Sequence, residues 1–289
     1  MNQRLGYGMG HAFSATAFGN GGYGAGNGVL VHGYPGGDSD YSSMQTKLQK
    51  RLTHHFTTLS SFTWAKLITD DGNPPLGFVG SHLGAPQDWK DMQYEHSVSP
   101  QDVKYQFTGT ASYDLPVGKD RAVNLSGFAN GALGGWTMNG IFYWSTGVPI
   151  ASPTVGAGIS YFNQRPDLTC DPSQGAPHNT GTWFNYNCFA IPSSPFVPGN
   201  APAYLDQVRT MGAKSLDLSI YKTFDVRESM HIRFEASAYN VSNRAQFGMP
   251  NVPSVTAVQT QPDQAAVFGQ ITSTVNTPRQ FQFGTRFTF

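Results

Sequence analysis

The last nine residues constrain this chain more than any other stretch. Phe281, Phe283, Phe287 and Phe289, with Thr285 among them, alternate with Gln282, Gly284, Arg286 and Thr288. Side chains of a strand point to opposite faces in turn, so a strand here has one nearly all-aromatic face and one polar face. A soluble sandwich can bury such a face in its core. A strand that meets lipid on one side and water on the other needs the same alternation, and a closing strand that ends on an aromatic is what outer-membrane barrels show. This segment alone leaves both readings open.

Composition leans toward lipid. Charged residues make up 12% of the 289 residues, against roughly 25% in average soluble proteins. Aromatics are 13%. The formal net charge is zero and no basic run occurs, so no nucleic-acid partner is expected. No stretch approaches the ~18–20 continuous apolar residues of a membrane helix, which does not count against spanning strands. The opening Met1–Gly6 has no apolar signal region. An exported protein needs one, so either the exported reading fails or the chain is expected to lack its natural N-terminus. Cys170 and Cys188 fall in a stretch rich in Pro, Asn and Gly. For an exported protein this spacing suggests a disulfide, with two free thiols as the alternative. The usual zinc-ligand pairs are missing.

Residues 1–40 are Gly-rich and read as loop or linker, with one poor strand at most near His11–Ala17. From there the period of two sharpens. Met44, Thr46, Leu48 and Leu52 share a face, interrupted by Lys50. A turn at Thr53–His55 leads to Phe56, Phe62 and Trp64 on the next strand. Val103, Tyr105, Phe107, Gly109, Ala111, Tyr113 and Leu115 form the cleanest alternating set. Trp136, Met138, Phe142 and Trp144 follow after a connection of small residues. Leu216, Leu218, Ile220 and Phe224, then Met230, Ile232, Phe234, Ala236 and Ala238, form a hairpin around Arg227–Ser229.

Connections alternate between short and long, with the long ones at 69–102, 147–213 and 241–278. Strands of about ten residues suit a tilted bilayer crossing. Long loops at one end and short turns at the other are the pattern of outer-membrane barrels, and a compact soluble domain rarely carries such long irregular loops. The expected fold is all-β: an antiparallel transmembrane β-barrel portion of about 7–8 strands with long extracellular loops.

Five blocks in order resemble a known family. They are residues 43–66 (SMQTKLQKRLTHHFTTLSSFTWAK), residues 133–149 (LGGWTMNGIFYWSTGVP), Arg165-Pro166-Asp167 with Trp183-Phe184-Asn185 and Phe189, residues 233–250 (RFEASAYNVSNRAQFGMP), and residues 268–289 (FGQITSTVNTPRQFQFGTRFTF). Together they resemble the C-terminal β-barrel part of Oar-like TonB-dependent outer-membrane receptors of the acidobacterial type. The resemblance covers about residue 41 to the end, so residues 41–289 read as the barrel segment. It implies a gated importer in the cell outer membrane, in which ligand binds loops and plug and energy arrives through TonB. Its implied partners are outer-membrane lipid, the barrel-assembly machinery, the plug and, through it, TonB, and a small ligand: a siderophore, saccharide or peptide. Members of the family carry a signal peptide, a plug and a barrel of about 22 strands. This chain shows neither signal nor plug and reads as a C-terminal fragment.

Site candidates follow. Phe281, Phe283, Phe287 and Phe289 are expected to serve as the assembly signal, through β-augmentation of the closing strand. Trp89, Trp183, Phe184 and Tyr186 are candidate ligand-facing loop aromatics, although loop aromatics also pack loops. His54-His55 at a turn point opposite ways and read as a solvated turn rather than a metal pair. Asp70-Asp71-Gly72-Asn73 lacks the spacing and closing Glu of a calcium loop. Arg233 and Glu235 share a face and read as a structural pair on a lumen wall. No catalytic set, metal or cofactor is expected, and the chain is not read as an enzyme. The alternatives are a small self-contained barrel with an adhesin or structural role, and a secreted carbohydrate-binding sandwich whose aromatic faces meet each other.

Overall fold

The computed structural model describes residues 4–5, 30–31, 38–51, 55–70, 87–88, 91–155, 164–194, 197–227 and 229–289. Seven long strands run through them: β1 (Ser39–Arg51), β2 (Phe56–Thr69), β3 (Tyr105–Asp114), β4 (Trp136–Ser145), β5 (Lys214–Arg227), β6 (Met230–Tyr239) and β7 (Gln280–Thr288). Each pairs antiparallel with the next in chain order. The two-residue strand Ser97–Val98 adds to the end of β2 and makes the sheet eight-stranded. The architecture is an antiparallel up-and-down meander. Among the described residues β1 pairs only with β2 and β7 only with β6, so the sheet has two free edges. Within the Gly-rich start, Arg4–Leu5 pairs with Leu30–Val31. The weak strand expected near His11–Ala17 lies outside the described residues.

The register puts one face of all seven strands in line. Phe283 sits opposite Ala236, Ala236 opposite Ile220, Ile220 opposite Met138, and Met138 opposite Tyr113. Tyr113 sits opposite Phe56, and further along the same face Phe62 sits opposite Thr46. This face carries every Phe, Trp and Met of the seven strands with Leu48, Leu216 and Leu218, whereas Tyr41, Leu59, Leu67, Tyr143, Tyr221 and Tyr239 fall on the other. The other carries Gln106, Thr108, Asn139, Asp217, Ser219, Arg233, Glu235, Gln282 and Arg286. A one-residue slip anywhere would exchange the faces, so the two-sided alternation itself holds the register.

Among the described residues the apolar face packs against no second layer except where the short helix at 127–133 meets Trp136 and Lys222 at its edge. Met44, Leu48, Trp64, Met138, Trp144, Phe234, Phe281, Phe283 and Phe287 on it are all exposed. Trp64, Tyr105 and Trp144 band its end near the long connections, and Phe56, Tyr113 and Trp136 band the other. Between the bands, small residues such as Ser60, Gly109, Ala111 and Gly140 alternate with Phe62, Phe107, Phe142, Leu218 and Ile220. Tyr105 and Tyr113 are separated by about 27 Å along β3, at ~3.4 Å per residue. With a tilt of ~40° that spans about 21 Å of membrane normal, close to the ~25 Å apolar height of such sheets.

The three long connections, 70–104, 146–213 and 240–279, leave the same end of the sheet, and their described residues pack into one cap. The cap holds the apolar core of the molecule: Ile150, Phe184, Phe189, Leu205, Val208, Val255, Val258 and Phe268. Among the buried apolar residues only Ala65 belongs to the seven long strands. Residues 147–213, expected to be irregular, contain Pro149–Ala151 paired with Tyr204–Arg209 and Asp167–Leu168 paired with Phe189–Ala190. Short helices follow at 255–260 and 262–267; Ser254 caps the first by accepting from the Ala257 N–H. Ladders of two or three residue pairs leave no alternation to read, so the sequence pattern missed them.

Candidate functional site

The cap, the polar face and the closing strand each carry candidate residues. In the cap, Arg165 and Glu95 form a buried ion pair, with Arg165 Nη1 at 2.8 and 3.0 Å from the two carboxylate oxygens. Arg165 Nε donates to the Ala201 carbonyl and Nη2 to the Tyr94 carbonyl, so each guanidinium nitrogen has an acceptor. Gln87 bridges the pair to the chain around it. Its N–H donates to Glu95, its side-chain oxygen accepts from the N–H groups of Arg165 and Gly199, and its amide nitrogen donates to the Gly199 carbonyl. Gly199 fits because a Cβ there would lie 2.1 Å from the Arg165 carbonyl oxygen. A buried pair is costly to desolvate and holds only with this degree of hydrogen bonding.

A second pair ties the cap to the top of the sheet. Arg209 Nη2 lies 2.6 Å from buried Asp102, and Nη1 donates to the carbonyls of Asp102 and Gly147. Asp102 accepts from the Leu67 N–H of β2. Asp206 bonds both Arg209 and Lys66, the latter on β2. Burial pushes the Asp206 carboxyl up, but the hydrogen bonds from Lys66 and Arg209 outweigh it and hold the group below the usual carboxylate range.

Cys170 and Cys188 form a disulfide with Cα atoms 4.9 Å apart, closing the loop that holds Trp183, Phe184 and Tyr186. These three candidate ligand-facing aromatics part company. Phe184 is 0% exposed and stacks among Phe189 and Phe268, so it packs the cap rather than facing a ligand. Trp183 packs against the same core and its Nε1 donates to the Arg209 carbonyl. Tyr186 is 40% exposed at the cap surface, its ring against Phe268. Trp89 lies outside the described residues. Gly269, at φ 72°, lets the Trp183 N–H reach its carbonyl at 3.0 Å and joins the second long connection to the third.

On the polar face, Arg233 lies 3.7 Å over the Tyr221 ring and bonds Glu235 at 3.2 Å. Both are partly exposed, not enclosed. Arg286 is the cross-strand partner of Arg233, and Gly284 that of Glu235. With Ser237, Tyr239 and Gln282 they line a concavity of about 410 Å³. Two like charges directly opposite each other are unfavourable. One carboxylate answers two guanidiniums, which suits a wall facing water or an anionic group.

Of the remaining candidates, His55 approaches Asp114 at 3.5 Å, while His54 is outside the described residues. Asp70 accepts from the Asp38 N–H, bracing β1 to β2, and 71–73 are outside the described residues. The block 240–248 is a brace. The Asn240 side chain bonds Arg244 and Thr277, and Asn243 accepts from the Arg279 N–H. In the closing strand, Phe283 is 80% and Phe289 97% exposed, and the outer edge of β7 is unpaired.

A sheet with an exposed apolar face, two aromatic bands and its three longest loops at one end defines a protein that crosses a membrane with strands. No described helix is long and apolar enough to cross one. A family model described as an outer membrane beta barrel domain matches residues 22–282, and the chain belongs to that family. It is an outer-membrane protein, and in such barrels the long loops lie on the extracellular side and the opposite end faces the periplasm. Comparisons with curated proteins and with solved structures return no match.

Proposed function

We propose that this chain forms barrel strands of a TonB-dependent, Oar-like receptor that imports a small ligand and does no covalent chemistry of its own. The observation that carries the reading is the open seven-strand meander: among the described residues the outer edges of β1 and β7 have no strand partner. Such edges are untenable in lipid. Further strands outside the described residues are needed to close the barrel, which suits a large receptor barrel. The charged polar face of β6 and β7 suits a lumen filled by a plug. The braces at 240–248 and 274–280 coincide with two blocks that resemble the receptor family. The ligand, a siderophore, saccharide or peptide, meets the exposed cap surface around Tyr186. β7 and its exposed aromatics engage the assembly machinery before the barrel closes.

The test is formaldehyde cross-linking in cells carrying an affinity tag in the 52–55 turn. Capture of TonB that rises when the inner membrane is energised supports the reading. A compact, heat-modifiable band of the chain alone, with no TonB capture, overturns it in favour of a self-contained barrel.

A further inference from the structure

The periplasmic end of the sheet has three connections. Those at 52–55 and 228–229 are tight, whereas 115–135 is long and built. Val117–Gly118 pairs in parallel with Val123–Asn124, and a short helix, α1 (Gly127–Leu133), follows. Asn130 Oδ1 accepts from the Lys119 N–H at 2.7 Å, and the Gly135 N–H donates to the Val117 carbonyl at 3.2 Å. The segment is therefore a braced unit and not slack chain.

Two side chains fix where α1 sits. Trp136 and Lys222 are cross-strand partners on the apolar face of β4 and β5. Trp136 Nε1 donates to the Ala132 carbonyl at 3.0 Å. Lys222 Nζ donates to the carbonyls of Asn130 and Gly131. The C-terminal turn of α1 is thereby held on the lipid side of the sheet, level with the periplasmic aromatic band. Lys222 would be out of place on an apolar face. Here its stem lies along the strands and its ammonium satisfies the last carbonyls of α1, where a cation is favoured. Yet α1 buries none of its own residues: Phe128 is 92% exposed, Leu133 60%, and Val123 beside it is also exposed.

We infer that the 115–135 connection is a phospholipid anchor, with Phe128 and Leu133 inserted at the acyl–headgroup boundary of the inner leaflet. The apolar surface of α1 continues the lipid-facing surface of β4 and β5, and this continuity selects lipid over a protein occupant. A plug would sit on the opposite, polar side. Short apolar segments at that depth bind in the plane of the interface through buried apolar area. Lys222 carries the anchor on the sheet, and Phe128 carries it in the lipid. The inference rests on outer-membrane residence and not on TonB dependence.

The test uses the full chain in isolated outer-membrane fragments. Because Cys170 and Cys188 are bonded to each other, a new cysteine is the one reactive thiol among the described residues. Phe128→Cys is expected to react with a membrane-impermeant maleimide at least about ten-fold more slowly than Ser229→Cys in the neighbouring turn, because its site lies below the headgroups. Equal rates overturn the anchor. A second variant, Phe128→Trp, is read in phosphatidylethanolamine–phosphatidylglycerol vesicles carrying lipid brominated near the headgroup or near the chain end. Emission from the added tryptophan should be quenched more by the shallow label. If it is not quenched while the native Trp64 and Trp144 are, the anchor fails and the lipid-facing sheet stands. Protection of the cysteine without bromine quenching assigns the face to a protein partner and also overturns the proposal.

Discussion

Phe283 and Phe184 are the same residue type in opposite surroundings. Phe283 stands 80% exposed on a regular strand, and Phe184 is 0% exposed in a loop. In a soluble domain the regular elements bury the apolar residues and the loops stay polar. Here the sheet turns its apolar side to lipid and its polar side to the lumen, so neither side needs a core. The loops extend into water and have no lipid to meet, so they must bury their own aromatics against one another. The same chain thus contains a water-type core and a lipid-type surface. The difference is set by the solvent each region faces and not by local composition.

The contrast can be broken most strongly at the ion pair of the cap. Glu95→Ala strands Arg165 in a buried site and is expected to destabilise the cap by roughly 3–5 kcal/mol. Hydrogen exchange resolved by segment should show faster exchange in 146–213 with β1–β7 unchanged. Loss of protection in the strands as well would mean that cap and sheet fold as one unit. Phe184→Ala should leave a cavity and cost about 3–4 kcal/mol in the same region, again read by exchange or by proteolysis of the loops in whole cells.

The mirror experiment is on the sheet. Phe283→Ala fills with lipid and should change little, whereas Phe283→Arg puts a charge on the lipid face and should cost about 2–4 kcal/mol. Folding yield into bilayers measures it, and a tolerated arginine would contradict the assignment of that face. The smallest effect is acid on the tether between the regions. The depressed Asp206 carboxyl contributes stability that is fully present above its unfolded value, ~3.9, and is lost as pH falls through the lower folded value. Exchange in 204–209 should therefore rise in that acidic window and not between neutral and mildly acidic pH. Asp206→Asn should abolish the pH dependence.

Legibility followed the same division. Each of the seven strands could be read from its alternation, because a strand between lipid and lumen has to repeat every two residues along its length. β1 and β2 run further than their patterns suggest, since Ser39–Tyr41 and Leu67–Thr69 pair by backbone alone. The disulfide partners were visible as the chain's two cysteines. Glu95 and Gln87 were not visible at all, because their partner Arg165 is some 70 residues away and nothing local marks the pair. For Phe184 the sequence left ligand-facing and loop-packing roles both open, because a loop sequence carries no periodicity that separates inward from outward. α1 was read as a run of small residues, and what defines it is the reach of Lys222 from a strand more than 90 residues further on.

By itself, then, the sequence determined the strands, their faces, the end that carries the long loops, and hence the membrane. These depend on short-range alternation, which a two-solvent environment imposes at every step. Only the tertiary structure decided that the three loops share one core, that Arg165 finds Glu95, and that among the described residues β1 and β7 do not pair with each other. Those features depend on contacts between distant segments, where burial and hydrogen-bond satisfaction select partners that no local pattern records.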